Sequence, residues 1–325
     1  NAEKAFADHQ FQIYYQPQYN YLNRRIVGTE ALVRWIHPQF GIQPPGEFIP
    51  VFEDSGLITK LDLYVMEEAC RFLRECRESG VPYVPVSFNV SRHDVYACDF
   101  VERMERIRKS YGIPVTDLRV EITESAVIGS SDFLIRFVSR LQSLGYTVEM
   151  DDFGSGYSSL NVLKDIEVDI IKLDMIFLRN KIGGRGGIII SSIVRMANWL
   201  GTPVIAEGVE TVEQAEFLKS IGCIYIQGYL FSKPVPEREY LRLLTETKTD
   251  TAVPGMQLSD KLDAEKFWDP TTQETLLFYN FVGGAAIIAF SDPEIETLRV
   301  NEKYLTELGM NMNQQDVILY QKNLN

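Results

Sequence analysis

One short apolar run after another along this chain ends in an acidic or amide residue, at the point where a strand should stop. In chain order these residues are Glu30, Asn89, Glu121, Glu124, Asp151, Asp152, Asp174, Glu207 and Gln227, with Lys172 inside the run DIIKLD. Crowded carboxylates repel one another unless metal ions or protons neutralise them. A sheet that brings this many oxygen atoms to one rim therefore indicates a cation site.

The composition narrows the kind of cation and ligand. Three histidines and four scattered cysteines show no metal-binding spacing, which argues against a zinc hydrolase and favours Mg²⁺ or Mn²⁺. The cysteines are expected to be buried, reduced thiols of a cytosolic protein. A net charge of −13 leaves no basic stripe for a polymeric nucleic acid, although bound metal would still attract a small anion. No segment has the pattern of a membrane span.

Short β-branched runs alternate with stretches of helical period over most of the chain. Apolar residues recur every three or four positions in 63–76, 133–144 and 212–218. The alternation indicates a parallel sheet with crossover helices. A closed (β/α)8 barrel is the favoured fold because it places active residues at the carboxyl ends of its strands, where these acids fall. An open doubly wound sheet is the alternative.

Four segments are expected. Residues 1–10 are typical of the end of a helix that enters from an upstream region, and 11–246 form the barrel. Residues 247–255 are polar with a Pro-Gly turn and are expected to be a linker. Residues 256–325 form a small, partial α+β segment.

The string MDDFGSGYSSL carries the strongest local signal. Adjacent residues on a strand point to opposite faces, so Asp151 and Asp152 are each able to hold a different cation. Gly154 and Gly156 allow the following loop to turn sharply. The alternative is a strand end with an N-capping aspartate.

Several single residues have a functional and a structural interpretation. Arg34, four residues after Glu30, suits a phosphate oxygen, or forms a surface ion pair. Lys172 either points into the barrel and stabilises negative charge or faces solvent on an edge strand. Capping or loop roles are the alternatives for Asn89, Glu124, Glu210, Gln227 and Gln16, the last of which is expected to follow the first strand.

Taken together, the strings resemble a known family in order and spacing. They are QPQ, TEALVRW, PGEFIP, FNVS, EITES, DDFGSGYSSL, DIIKLD, AEGVET and QGYLFSKP. They resemble the EAL domain of cyclic di-GMP phosphodiesterases over residues 11 to about 245. The resemblance implies a modified TIM barrel that hydrolyses cyclic di-GMP to linear pGpG in bacterial second-messenger signalling.

The resemblance also implies roles for individual residues. Two metal ions, Mg²⁺ or Mn²⁺, are expected to be held by Glu30, Asn89, Glu121, Asp151, Asp152 and Glu207. Lys172 resembles the residue that orients the attacking water, with Glu210 and Gln227 around it, and Glu124 resembles the anchor of the DDFGSGYSS loop. Gln16, Leu32, Arg34 and Gln227 fall where the family binds the dinucleotide. Ser155 replaces the more usual threonine and keeps the hydroxyl.

Partners follow from the same resemblance. A homodimer through the segment 157–163, an upstream GGDEF-type domain and a downstream PAS-type domain are expected, the last begun by residues 256–325. The location is expected to be cytoplasmic, with membrane tethering through absent regions left open. The main alternative function is a receptor that binds cyclic di-GMP without cleaving it, and the other is an interaction scaffold. A complete set of predicted ligands favours the enzyme.

Overall fold

The computed structural model describes residues 2–123, 131–154, 166–174, 185–247, 249, 284, 286–291, 294–301, 304 and 305. Its helices are α1 (Ala2–Ala7), α2 (Pro45–Asp54), α3 (Ile58–Ser79), α4 (Arg92–Tyr96), α5 (Phe100–Tyr111), α6 (Ser131–Ser143), α7 (Arg185–Trp199), α8 (Val212–Ser220) and α9 (Glu237–Glu246), with a 3₁₀ turn at Val115–Asp117. Its strands are β1 (Phe11–Asn20), β2 (Arg25–His37), β3 (Gly41–Gln43), β4 (Val86–Val90), β5 (Leu118–Thr123), β6 (Thr147–Phe153), β7 (Ile170–Asp174), β8 (Val204–Glu207), β9 (Tyr225–Ile226), β10 (Val235–Pro236), β11 (Ala286–Ser291) and β12 (Glu294–Val300).

Eight of these strands close into a barrel in the order β1-β2-β4-β5-β6-β7-β8-β9, with β9 pairing back onto β1. Strand β1 runs antiparallel to both of its neighbours in the barrel, β2 and β9. The other pairs, from β2–β4 to β8–β9, are parallel. The predicted modified barrel is therefore confirmed, and the open doubly wound alternative is wrong.

Two predicted residues lie inside strands, although the sequence pattern placed them at or after strand ends. Glu30 lies in the middle of β2, which continues as far as His37. Gln16 lies inside β1 and does not follow it. The reason is the same for both: β1 and β2 form a long antiparallel hairpin, in which Gln16 stands opposite Glu30. Glu30 nevertheless lies in the short parallel part of its strand, because β2 pairs with β4 only through 29–31.

The main core lies between the outer face of the barrel and the helices. Strand residues such as Phe88, Val120 and Leu173 are fully buried and belong to the same apolar cluster as Leu61 and Phe72 of α3. Helix α3 ends at Gly80, whose φ of 70° is a left-handed conformation that suits glycine. The predicted helical stretches 63–76 and 212–218 are confirmed within α3 and α8, and the stretch 133–144 is helical as far as Ser143, where α6 ends.

Other expectations have mixed outcomes. All four cysteines are free thiols, and Cys98 is exposed whereas Cys70, Cys76 and Cys223 are buried. Within the described residues, no helix is long and apolar enough to cross a membrane. Strands β11 and β12 form an antiparallel hairpin within the predicted C-terminal segment. Most of that segment, and most of the predicted linker, lies outside the described residues.

The turn after β4 contains two buried acids that share one partner. The Ser91 backbone N–H donates to Asp62 Oδ2 at 3.1 Å, and the Ser91 hydroxyl donates to Asp94 Oδ2 at 2.6 Å. Burial, with the neighbouring Asp94 adding to it, raises the pKa of Asp62 well above its ordinary value. At a pH between the ordinary and the raised value, folded Asp62 therefore keeps a proton that it loses when the chain unfolds.

This pair predicts a pH-dependent stability. Because the pKa of Asp62 is higher in the folded state, the free energy of unfolding falls as pH rises from about 3.9 through the raised value, by about 1.4 kcal/mol per unit of difference. Asp62→Asn removes this loss, since its amide donates to Asp94 at every pH. Urea unfolding at pH 5 and pH 8 is expected to show a smaller fall for Asp62→Asn than for wild type. The exposed variant Asp54→Asn is the control, and equal pH dependence in all three proteins would contradict the prediction.

Candidate functional site

The barrel interior is polar because the strands alternate. Outward positions such as Val120 and Ile122 of β5 are apolar and buried, while the residue between them, Glu121, points inward and is also fully buried. The same two-residue alternation turns Asn89, Asp151 and Lys172 to the interior of the barrel at the carboxyl ends of β4, β6 and β7. The sequence pattern of apolar runs that end in polar residues is thus explained by strands buried on both faces.

Lys172 lies at the centre of the predicted site. Its side chain is fully buried, and its ammonium group forms ion pairs with four carboxylates. The distances from Nζ are 3.2 Å to Glu30, 2.7 Å to Glu121, 3.4 Å to Asp151 and 2.6 Å to Glu207. The inward orientation of Lys172 is confirmed, and the edge-strand alternative is wrong. Five predicted residues from five different strands therefore meet at one point.

Glu30 is held by three neighbouring side chains. Oε1 accepts from Asn89 Nδ2 at 3.1 Å, and Oε2 accepts from Gln227 Nε2 at 2.6 Å and from Lys172 Nζ at 3.2 Å. Burial alone would raise the pKa of Glu30, but the Lys172 ammonium and these hydrogen bonds hold the pKa below its ordinary value. Glu30 is therefore a fixed, ionised carboxylate.

The pKa values of the other acids are raised by burial and crowding. Burial raises the pKa of Glu121 and of Glu207 well above the ordinary value, and the nearby carboxylates add to the effect. Burial, opposed in part by Lys172, raises the pKa of Asp151 to about 6. Burial would lower the pKa of Lys172, but its carboxylate partners raise it well above the ordinary value. One ammonium group is thus too little positive charge for the acids that surround it.

The excess of carboxyl groups over positive charge bears on whether a metal ion fits the site. Within the described ranges, no group of three acidic, histidine or cysteine side chains is already arranged to hold a metal ion. The donor chemistry still fits a hard divalent cation, because the donors are carboxylate and amide oxygens. Moreover, Glu121 Oε1 is buried and has no hydrogen-bond partner in the described part of the chain. All four acids are in contact with Lys172.

Asp151 and Asp152 diverge as predicted. Asp151 is buried and faces Lys172, whereas Asp152 is exposed. The register between β6 and β7 shifts between Met150 and Phe153, and Asp152 has a φ of 55°. A positive φ is unusual outside glycine, and aspartate and asparagine tolerate it best. The strand thus bends at the point where the second acid leaves the barrel.

The predicted dinucleotide-binding residues lie on the antiparallel hairpin and beside it. Gln16 is buried on β1, and its Oε1 accepts from Gln227 Nε2 at 3.3 Å. Leu32 and Arg34 follow Glu30 at two-residue intervals on β2, so all three share one face. The Arg34 guanidinium lies 5.7 Å from the centre of the Tyr14 ring. These positions are next to the acids, and their binding role stays a prediction.

Among the described residues, Glu210 does not belong to the acid cluster. Glu210 is exposed, and its backbone N–H donates to Gln214 Oε1 at 2.7 Å at the start of α8. Its catalytic role stays a prediction. Glu124, Ser155 and the predicted dimer segment 157–163 lie outside the described residues.

Four buried polar residues beneath the acid cluster were not predicted. They are Gln18, Ser87, Arg119 and Glu149, and together we call them the floor group. Ser87, Arg119 and Glu149 each precede a predicted site residue by two positions, and Gln18 lies two positions from Gln16 on the reversed strand β1. The signal was available in the sequence as polar residues with period two inside otherwise apolar runs.

The loop after β9 packs tightly against the loop after β8. Val209 N–H donates to Gln227 O at 3.2 Å, and Leu230 N–H donates to Val209 O at 3.0 Å. A Cβ added to Gly228 would lie 2.2 Å from Val209 O and 2.4 Å from Val209 N. No side chain fits between these two backbones, so Gly228 sets the separation of the two loops next to Glu207 and Gln227.

We therefore expect Gly228→Ala to push the two loops apart. The cost is expected to be about 1–3 kcal/mol of unfolding free energy, as for other overpacked sites. Urea unfolding measures it, with Gly46→Ala as the control, because a Cβ at Gly46 in α2 meets nothing within 4 Å. Equal stability of the two variants would show that the loops have room to separate.

Comparisons with known proteins agree with this geometry. The family described as EAL domain matches residues 1–234. The chain is 35% identical over 257 residues to the cyclic di-GMP phosphodiesterase NbdA of Pseudomonas aeruginosa, covering 79% of the chain and 33% of that protein. It is 33% identical to the signaling protein YkoW of Bacillus subtilis, covering 75% of the chain and 30% of that protein. The chain thus spans about a third of the length of these curated relatives.

Solved structures give the same result. A structure described as the PaMucR phosphodiesterase in complex with c-di-GMP has a TM-score of 0.70 and 32% identity, and the match covers 74% of this chain and 97% of that one. The EAL domain of Mycobacterium smegmatis DcpA has a TM-score of 0.63 and 30% identity, covering 74% of this chain and all (100%) of that one. On the family match, the relatives and the closed barrel, the chain belongs to the EAL domain family.

Proposed function

We propose that this chain is a metal-dependent phosphodiesterase that hydrolyses cyclic di-GMP to linear pGpG. The observation that carries the proposal is the set of four carboxylates around Lys172 inside the barrel. Names of relatives support the substrate, since NbdA is described as a cyclic di-GMP phosphodiesterase and MucR has been solved with c-di-GMP.

The cation-binding residues are proposed to be those predicted from the sequence. They are Glu30, Asn89, Glu121, Asp151, Asp152 and Glu207. Two bound Mg²⁺ or Mn²⁺ ions would lower the pKa of a water molecule and neutralise charge on the phosphate oxygens. The surplus of negative charge around Lys172 supports this donor set, because an acidic site attracts cations before it accepts an anionic substrate.

The remaining residues act on the substrate and the water. Lys172 is proposed to orient the attacking water, and its raised pKa means that it does so as an ammonium donor. Gln16, Leu32, Arg34 and Gln227 are proposed to bind the dinucleotide. Arg34 supplies a planar, charged donor for a phosphate oxygen, at a position only partly buried and thus accessible to a ligand. Glu210 and Glu124 are proposed to act in the surrounding loops.

Assembly and location are also proposals. We propose a cytoplasmic homodimer that uses the segment 157–163, linked to GGDEF-type and PAS-type signalling domains, with 256–325 as the beginning of the latter. The partial coverage of the relatives supports linked domains, because YkoW and NbdA are about three times as long as the part matched here.

The alternative is a receptor that binds cyclic di-GMP without cleaving it. The two functions differ in one assay: incubation of the purified chain with cyclic di-GMP and Mg²⁺ or Mn²⁺, followed by chromatography of the products. We expect pGpG to form, and we expect a chelator to abolish its formation. If a dimer is needed, the rate of pGpG formation per protein molecule should rise with the protein concentration. Calcium is expected to support little turnover, because its bonds are longer and its geometry looser. Tight binding without product in either metal would favour the receptor.

A further inference from the structure

The floor group forms a closed set of contacts beneath the acid cluster. Arg119 Nη1 lies 3.3 Å from Glu149 Oε1 and 3.3 Å from Gln18 Oε1. Arg119 Nη2 donates to Val27 O at 3.2 Å, and the Ser87 hydroxyl donates to Glu149 Oε2 at 3.0 Å. All four side chains are at most 1% exposed, so the charges of Arg119 and Glu149 compensate each other away from water.

One member of the floor group reaches upward to the acid cluster. Gln18 Nε2 donates to Gln227 Oε1 at 3.1 Å, and Gln227 Nε2 donates to Glu30 Oε2 at 2.6 Å. A continuous chain of hydrogen bonds therefore runs from Arg119 through two amides to Glu30. It joins the floor of the barrel to a predicted metal ligand.

The direction of this chain is determined by its two ends. A guanidinium group only donates hydrogen bonds, and a carboxylate only accepts them. Arg119 therefore requires the oxygen of Gln18, which leaves the Gln18 NH₂ group for Gln227 and the Gln227 NH₂ group for Glu30. Without Arg119, only the Glu30 end sets this direction, and neither amide is held from the side of the floor group.

Gly28 provides the space for the contact between Gln18 and Arg119. A Cβ added to Gly28 would lie 2.3 Å from Gln18 Oε1 and 2.8 Å from Arg119 Nη1. The contact between Gln18 and Arg119 thus occupies the space that any other residue at position 28 would fill. Strand β2 therefore carries both the gap for this contact, at Gly28, and the carboxylate that the contact orients, at Glu30.

We propose that Arg119 and Gln18 are positioning residues, which fix the amide of Gln227 so that its N–H group holds Glu30 in the orientation needed to bind a divalent cation. Neither residue touches the cation or the substrate. The inference rests on the proposed function for the role of Glu30, but its test does not require turnover.

The test compares the Mn²⁺ affinity of variants by isothermal titration calorimetry without substrate. Gln18→Leu interrupts the chain and leaves the pair of Arg119 and Glu149 in place. We expect its Mn²⁺ dissociation constant to rise about 10-fold or more, as when a partner of a metal ligand is removed. Ser87→Ala is the matched control, because Ser87 is equally buried in the floor group but bonds Glu149 and not Gln18. Its dissociation constant is expected to stay at the wild-type value.

A double variant tests the role of Arg119 without leaving a buried charge. Arg119→Met with Glu149→Met removes the ion pair and with it the donor to Gln18, and thermal unfolding establishes that the protein is folded. We expect the same loss of Mn²⁺ affinity as in Gln18→Leu. In the hydrolysis assay, both variants are expected to need more Mn²⁺ for half-maximal rate, with little change in kcat at saturating metal.

The outcomes separate the two proposals. Wild-type Mn²⁺ affinity in Gln18→Leu, or an equal loss in Ser87→Ala, overturns the positioning role even if the wild-type chain hydrolyses cyclic di-GMP. Absence of Mn²⁺ binding by the wild-type chain overturns it as well. Absence of turnover by a wild-type chain that binds Mn²⁺, with the affinity loss confined to Gln18→Leu and the double variant, overturns the proposed function and supports the positioning role.

Discussion

Asp152→Asn is expected to lose at least about 100-fold in the rate of cyclic di-GMP hydrolysis while the fold and its thermal stability stay unchanged. Asp152 is exposed and has a φ of 55°, which asparagine adopts as readily as aspartate. The variant therefore removes one negative charge without backbone strain or a cavity. The loss of rate is expected because this carboxylate is the proposed ligand of the second cation.

The measurement is the initial rate of pGpG formation at saturating Mn²⁺, together with the melting temperature of each protein. Asp54→Asn makes the same chemical change at an exposed position in α2 and should keep full activity. A well-folded Asp152→Asn protein with wild-type rates would contradict the assignment of two cations.

Lys172→Met is expected to have the largest effect on stability. The substitution removes the ammonium group that compensates four carboxylates. Breaking a buried ion pair on one side typically costs about 3–5 kcal/mol, and we expect a loss of this size at pH 8 in the presence of a chelator. Hydrolysis should also be lost, because the proposed donor to the water is gone.

The pH dependence of this variant has a definite sign. Burial already raises the pKa of Asp151 to about 6 and the pKa values of Glu121 and Glu207 well above ordinary, and removing Lys172 raises all three further. The folded state then binds more protons than the unfolded state, so the free energy of unfolding should rise as pH falls from 8 to 5. Added Mn²⁺ should also recover part of the stability at pH 8, since it supplies the missing charge.

Urea unfolding at both pH values, with chelator and with Mn²⁺, measures these effects. Lys60→Met is the control, because Lys60 is about half exposed (47%) and its ion pair with Glu3 is long, at 3.8 Å. If Lys172→Met unfolds like wild type at pH 8 without metal, the four acids do not depend on Lys172 for compensation.

The sequence predicted the fold and most of the acid cluster because both follow from one periodic pattern. Alternating apolar and polar residues at the ends of parallel strands are enough to place Asn89, Glu121 and Asp151 on one rim. The position of Glu30 inside a long strand was not predicted. It depends on the pairing of β1 with β2, and local pattern does not reveal which strand pairs with which.

The floor group shows a second reason why sequence reasoning stopped short. Arg119 and Glu149 are visible as charged residues inside apolar runs, but only the closed barrel brings β1 close enough to β5 for Arg119 to contact Gln18 as well as Glu149. Contacts between residues about 100 positions apart in the chain depend on the whole topology. Side-chain direction along a strand is predictable, whereas the partner across the barrel is not.

The reversed direction of β1 has a consequence for how the domain receives a signal. In a barrel whose strands all run the same way, the polypeptide enters at the end opposite the chemistry. Here β1 begins at the mouth of the barrel, and α1 contacts it there through the rings of Phe6 and Phe11, whose centroids are 4.7 Å apart and whose planes are tilted by 44°. Any sequence joined ahead of α1 is delivered beside the opening that leads to the acid cluster. A twist or shift of that sequence would act directly on β1 and, through Gln16, on the side chains that line the opening.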